Sequence, residues 1–186
     1  MTDLFLGSII STNYFTMKKI LFTGLALLIA IGITAQEPFK VHKPFIEQKL
    51  GNMIGQWEYM AIVSISYAKT EGKTAREFGH FVGEQFKVSW NKEKGFTGFV
   101  NGLLWNLSCF SMEPEMQIIS QSADKVELKC RKMAEYLEKN QPVFNVTYQE
   151  YMDFMDALMA PIADYLGCTH EIRTDERWLY ITCVRK

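Results

Sequence analysis

Histidine and cysteine are scarce in this chain, three and four respectively among 186 residues. Neither Cys-x-x-Cys nor His-x-x-x-His occurs, so the spacings that build zinc sites are missing. Gly-x-Ser-x-Gly and phosphate-cradling glycine loops are missing too, which removes two common enzyme signatures. Excess charge is also lacking. Twenty basic residues against twenty-one acidic ones leave a net charge of -1, without the basic surplus of a general nucleic-acid binder. The chain shows no repeat, low-complexity tract or second domain.

Apolar and aromatic residues are what it has, at 48% and 13%. That composition excludes a disordered chain, and the length favours one domain. Residues 17–35 read as a secretory signal peptide. Lys18 and Lys19 form a positive start, Ile20 to Ile33 an apolar core, and Ile33 and Ala35 the -3 and -1 positions of a cleavage site before Gln36. The apolar run is short for a spanning helix, so cleavage rather than an uncleaved anchor is expected, with a periplasmic or secreted product holding no stable membrane anchor. No cysteine precedes Cys109, which argues against a lipid-anchored start. Residues 1–16 precede the positive start and read as a gene-model extension, leaving 36–186 as a single domain.

That domain is expected to be α+β: three helices, a β-hairpin, a helix and a C-terminal β-hairpin. From Phe45 to Ala68, apolar residues at Leu50, Met53, Ile54, Trp57, Met60, Ala61, Ile65 and Ala68 recur at helical steps. The β-branched stretch from Met60 leaves a buried strand as the alternative. Thr74 to Glu77 is a capping box opening a second helix, with Phe78, Phe81, Val82, Gln85 and Phe86 on its inward stripe. Gly79 and Gly83 would let another backbone approach it. A third helix carries Phe96, Phe99, Val100, Leu103, Leu104 and Leu107. The period then falls to two, and Met116 to Gln121 with Lys125 to Arg131 form a hairpin. Thr147 to Glu150 is a second capping box, followed by a helix that Pro161 should kink and Gly167 should end.

Cys168 to Arg173 and Arg177 to Arg185 form the last hairpin. With a two-residue turn at Asp175-Glu176, Ile172 faces Leu179, His170 faces Ile181 and Cys168 faces Cys183. A Cys168–Cys183 disulfide is one expectation for an exported chain, and two buried free thiols the other.

Glu77, His80 and Glu84 share one helical face, but a carboxylate-bridged metal site needs ligands from other helices, so that face reads as solvated. His170 on the inward hairpin face reads as a satisfied core histidine rather than a base. A thiol- or metal-assisted hydrolase would use Cys130 (or Cys109) with His80 or His170. No catalytic residue, metal set or cofactor is assigned. The aromatic surplus points instead to Trp57, Tyr67, Phe81, Trp90 and Trp105 as walls of a site for a small apolar or aromatic molecule between helices, with plain core filling as the alternative. A structural or partner-binding domain is the third reading.

The run Arg76 to Phe86, with Gly79 and Gly83 among phenylalanines, resembles the Gly-x-x-x-Gly helix of 4-vinyl reductase-type domains. Those belong with haem–nitric-oxide-binding domains and TRAPP vesicle-tethering subunits in one ligand-binding superfamily, and the chain is also similar to thiazoline-carboxylate hydrolase-like proteins. The likeness covers about residues 74–186. It implies an α+β fold with an apolar pocket, often in a homodimer. Gly-Asp-x-x-Cys near the terminal hairpin is absent, with only Cys183 in a comparable place. Tyr-x-Ser-x-Arg, which would support haem binding, is absent as well.

Overall fold

A computed structural model describes residues 45–110, 115–139 and 142–186. The chain divides into Met1–Lys43 and Pro44–Lys186, and every described residue belongs to the second unit. The expected extension and signal peptide lie outside the described residues.

The unit is α+β. Helices α1 (Ile46–Thr70) and α2 (Ala75–Phe86) lead through two 3₁₀ turns (Lys87–Ser89, Lys92–Lys94) to α3 (Gly95–Ser108). A hairpin of β1 (Met116–Gln121) and β2 (Lys125–Arg131) precedes short α4 (Tyr136–Lys139), α5 (Tyr148–Tyr165) and a hairpin of β3 (Cys168–Thr174) and β4 (Trp178–Arg185). The hairpins join through β2 and β4 into one antiparallel sheet of order β1-β2-β4-β3. Val126, Leu128 and Cys130 of β2 and Leu179, Ile181 and Cys183 of β4 alternate into the core. A fully buried aliphatic there contributes roughly 1.5–3 kcal/mol relative to exposure.

α1 is unbroken, so the β-branched stretch from Met60 is helical. Its buried positions are Glu58, Ile62, Ile65 and Ala68, of which Ile65 and Ala68 belong to the expected stripe and Glu58 and Ile62 do not. Met53 and Met60 are exposed, because α1 buries nothing before Glu58 and only its second half meets the core.

Both capping boxes form. Thr74 Oγ1 accepts from the Glu77 N–H (3.1 Å) while Glu77 Oε2 accepts from the Thr74 N–H (2.8 Å). Thr147 and Glu150 repeat the arrangement at α5. Pro161 sits inside α5, and Gly167 follows it at φ +69°. The inward stripe of α2 is met in part: Phe78 and Val82 pack against the core, with the Phe78 ring stacked 5.5 Å from that of Phe154. Phe81 and Phe86 are exposed, and the buried positions are Ala75, Gly79 and Gly83. A Cβ on Gly79 would lie 2.3 Å from the Phe154 carbonyl oxygen, and one on Gly83 2.2 Å from that of Leu158. α2 therefore rests backbone against backbone on α5, where hydrophobic periodicity has nothing to register.

The terminal hairpin is paired two residues away from the expected register. His170 faces Cys183, Ile172 faces Ile181, and Cys168 faces Arg185. The cause is turn chemistry. Asp175 Oδ1 accepts from the Arg177 and Trp178 N–H groups (2.9 and 2.7 Å), and Oδ2 accepts from the Tyr180 hydroxyl (2.8 Å), which builds a four-residue loop. A slip of two keeps every side chain on its face, so the apolar face is as expected while the cysteine pairing is not. Cys168 and Cys183 are free thiols.

Candidate functional site

The α2 terminus, α3 and α5 converge on a cavity of about 390 Å³, which Trp57 of α1 borders. Phe99, Leu103 and Leu107 line it from α3. Met155, Leu158, Met159 and Ile162 line it from α5, and Met133 closes it from the loop after β2. Among the described residues, Ser89, Asn106 and Cys109 are its polar members apart from the indole N–H groups of Trp57 and Trp90, and none of the residues lining it is charged. Ser89 Oγ is spent on the Phe86 carbonyl (2.7 Å), and Cys109 Sγ points to the Trp105 carbonyl (3.6 Å). Of these three, that leaves the Asn106 amide as the polar group at the wall. The size falls within the range of small-molecule pockets, roughly 300–1,000 Å³.

Trp57 and Trp90 are both at this wall. Trp57 is 39% exposed, with its ring 4.5 Å from Phe110, and Trp90 lies 6.1 Å from Phe99. The other three tryptophan and aromatic candidates are elsewhere. Tyr67 is 67% exposed, Phe81 60% and Trp105 73%, and none lines the cavity. Each stands at a helical position whose neighbours suggested an inward stripe, but the buried faces of α1 and α2 are set by Ile62, Ile65 and the glycines. The methionines of α5 and Met133 were missed because a residue bordering a void reads in sequence like one filling a core.

The seating of Trp90 depends on Gly102. A Cβ there would lie 2.0 Å from Trp90 Cζ3, so the indole rests directly on the α3 backbone.

The hydrolase constellation is not assembled. Cys130 is buried, and burial pushes its thiol up to about 11. His80 is exposed on α2, while His170 Nε2 shares a hydrogen bond of 3.0 Å with Asp156 Oδ1. Asp156 Oδ2 in turn accepts from Arg76 (2.8 Å). His170, its side chain only 6% exposed, is thus a satisfied buried histidine. Burial, with Cys168 beside it, raises the Cys183 thiol to about 12. None of these buried thiols is poised as a thiolate. Glu77 is spent on its cap and Glu84 on Lys87 (2.6 Å). Among the described residues, no three potential metal ligands gather.

A second buried polar region lies under α1. Glu58 Oε1 accepts from the Ala134 N–H (2.8 Å), holding a non-glycine residue at φ +52°. Burial raises the Glu58 carboxyl, and the Ala134 bond opposes it. Around it the Tyr136 and Tyr151 hydroxyls, like that of Tyr148, are buried with no hydrogen-bond partner among the described residues. Burial, then the Glu58 charge, pushes Tyr136 up to about 12.

No family model, curated protein or solved structure matches this chain. The functional reading therefore rests on the geometry.

Proposed function

We propose that the protein is an exported domain that binds a small, neutral, apolar or aromatic molecule in the cavity between its helices. The carrying observation is the composition of the wall among the described residues: aromatic, aliphatic and methionine side chains, one available amide and no charged group. A charged ligand would lose its hydration there without a counter-charge, which costs far more than apolar burial returns. Met133, Met155 and Met159 adapt to irregular shapes and favour aromatic rings through sulfur contacts. The Asn106 amide, which both donates and accepts, would orient a single polar group of the ligand. Export draws on the leader-like composition of residues 17–35. Among the described residues, no helix is long and apolar enough to cross a membrane.

The test is titration with the neutral fluorophore N-phenyl-1-naphthylamine. The wild-type protein is expected to bind one equivalent saturably. Met155→Trp, which fills the cavity from α5, is expected to remove that binding while the cooperative thermal transition persists. Equal binding by both would place the probe elsewhere and sink the assignment.

A second reading, a partner-binding domain, draws on the outer face of α1, where Met53, Tyr59, Met60, Val63 and Tyr67 are exposed. Contiguous apolar surface of that kind marks interaction sites. Met53→Glu with Met60→Glu would break self-association in sedimentation if α1 is a homodimer face. An unchanged sedimentation coefficient would remove that reading.

A further inference from the structure

We propose that the open groove on the outer face of α3 is a binding site for a neutral saccharide. The groove measures about 750 Å³ and runs between the 3₁₀ turns and one helical face of α3, formed by Thr97, Gly98, Asn101 and Trp105. This face is distinct from the buried one, which carries Phe96, Phe99, Val100, Leu103 and Leu107.

Its chemistry is specific. Trp105 holds its indole in solvent at 73% exposure, an apolar ring open to a ligand. Trp90, whose six-membered ring packs against Gly102, supplies a second indole to the groove. Asn91, Asn101 and Asn106 also line it, and among the described residues Lys94 is the only charged side chain that does. Asn91 Oδ1 already accepts from the Glu93 N–H (3.0 Å). No hydrogen bond among the described residues engages the side-chain amides of Asn101 and Asn106. A carboxamide donates and accepts at once, which matches sugar hydroxyls that also do both. The C–H-bearing face of a pyranose ring is apolar and flat enough to lie on an indole. A proline-rich peptide would also use tryptophan, but its backbone offers few donors for these amides. The pattern therefore favours a polyhydroxylated ligand, and the open ends of the groove suit a short oligosaccharide.

The groove shares Trp90, Ser89 and Asn106 with the apolar cavity, whereas Asn101 and Trp105 line the groove and not the cavity. Calorimetric titration of the full chain with neutral gluco-, xylo-, manno- and N-acetylglucosamine oligosaccharides tests it. At least one series is expected to bind saturably. Trp105→Ala should weaken it about tenfold or more, Trp105→Tyr only about threefold, as for an aromatic anchor at a binding surface. Asn101→Ala, at a residue that lines the groove and not the cavity, should weaken it too. Trp105 is exposed, so unchanged thermal unfolding of Trp105→Ala certifies the fold. Absence of saturation across the panel overturns the proposal. So does equal affinity of wild type and Trp105→Ala, or binding of a proline-rich peptide in the groove where no saccharide binds.

Discussion

Two glycine pairs, each spaced four residues apart, meet opposite fates in this molecule. Gly79 and Gly83 on α2 receive the backbone of α5, whose Phe154 and Leu158 carbonyl oxygens would lie within 2.3 Å of an added Cβ. Gly98 and Gly102 on α3 receive side chains, the Lys94 stem and the Trp90 indole. The first contact leaves no space and locks two helices. The second seats a ring that forms one wall of a cavity and lines a groove. Identical spacing thus serves packing in one place and a binding surface in the other, and the partner's rigidity decides which.

The sharpest way to break the contrast is to add one methyl group on each side. Gly83→Ala should lower stability by about 3 kcal/mol, since a main-chain carbonyl cannot swing away and overpacking outweighs the gain of up to about 1 kcal/mol in helix propensity. Chemical denaturation measures this, and a neutral or stabilising outcome would mean that α2 and α5 stand further apart than described. Gly102→Ala should cost less than about 1 kcal/mol, because the half-buried indole is able to move. It should instead change the near-ultraviolet circular dichroism of the tryptophans and weaken N-phenyl-1-naphthylamine binding. If stability falls as far as in Gly83→Ala, the two pairs are equivalent and the contrast fails.

A further comparison sets Glu58 under α1 against the capping carboxylates. The Thr74 backbone and hydroxyl hold Glu77 below the usual carboxylate range, so its contribution is present above that range and lost as pH falls through the lowered value. Glu58 runs the other way. Burial raises its folded-state value, so stability is greatest below the unfolded value and declines as pH rises through the folded one. Glu58→Gln keeps an acceptor for the Ala134 N–H without a charge. Its urea midpoint should gain on wild type progressively as pH rises above the ordinary carboxylate range. A gain constant with pH would show that Glu58 is not the titrating group. Smallest of all, Trp105→Ala should leave the thermal midpoint unchanged, and a loss there would mean the indole is packed rather than exposed.

These contrasts also explain how far the sequence could be read. The order of elements was legible because it rests on local chemistry: two capping boxes, a Gly167 stop, and alternation in β2 and β4. Faces were legible where side chains do the burying, as at Phe99, Leu103 and Leu107 of α3. On α2 the face is legible only at Phe78 and Val82, because the closest packing is made by Gly79 and Gly83 while Phe81 and Phe86 are exposed. The terminal hairpin shows the limit in register, since the apolar face tolerates a slip of two and only the Asp175 hydrogen bonds fix the pairing. Of the five aromatic site candidates, Trp57 and Trp90 border the cavity. Tyr67, Phe81 and Trp105 do not, because a helical step cannot tell which apolar stripe finds a partner. The seating of Trp90 on Gly102 involves residues twelve apart on different elements, which no periodicity links.

Methyl-labelled methionine NMR tests the central claim most directly. Met133, Met155 and Met159 border the cavity, whereas Met53 and Met60 stand exposed on α1. On addition of N-phenyl-1-naphthylamine, the first three methyl signals are expected to shift together and saturate, with Met53 and Met60 unmoved. Shifts confined to Met53 and Met60 would show an apolar surface rather than a ligand-binding cavity, and would contradict the account.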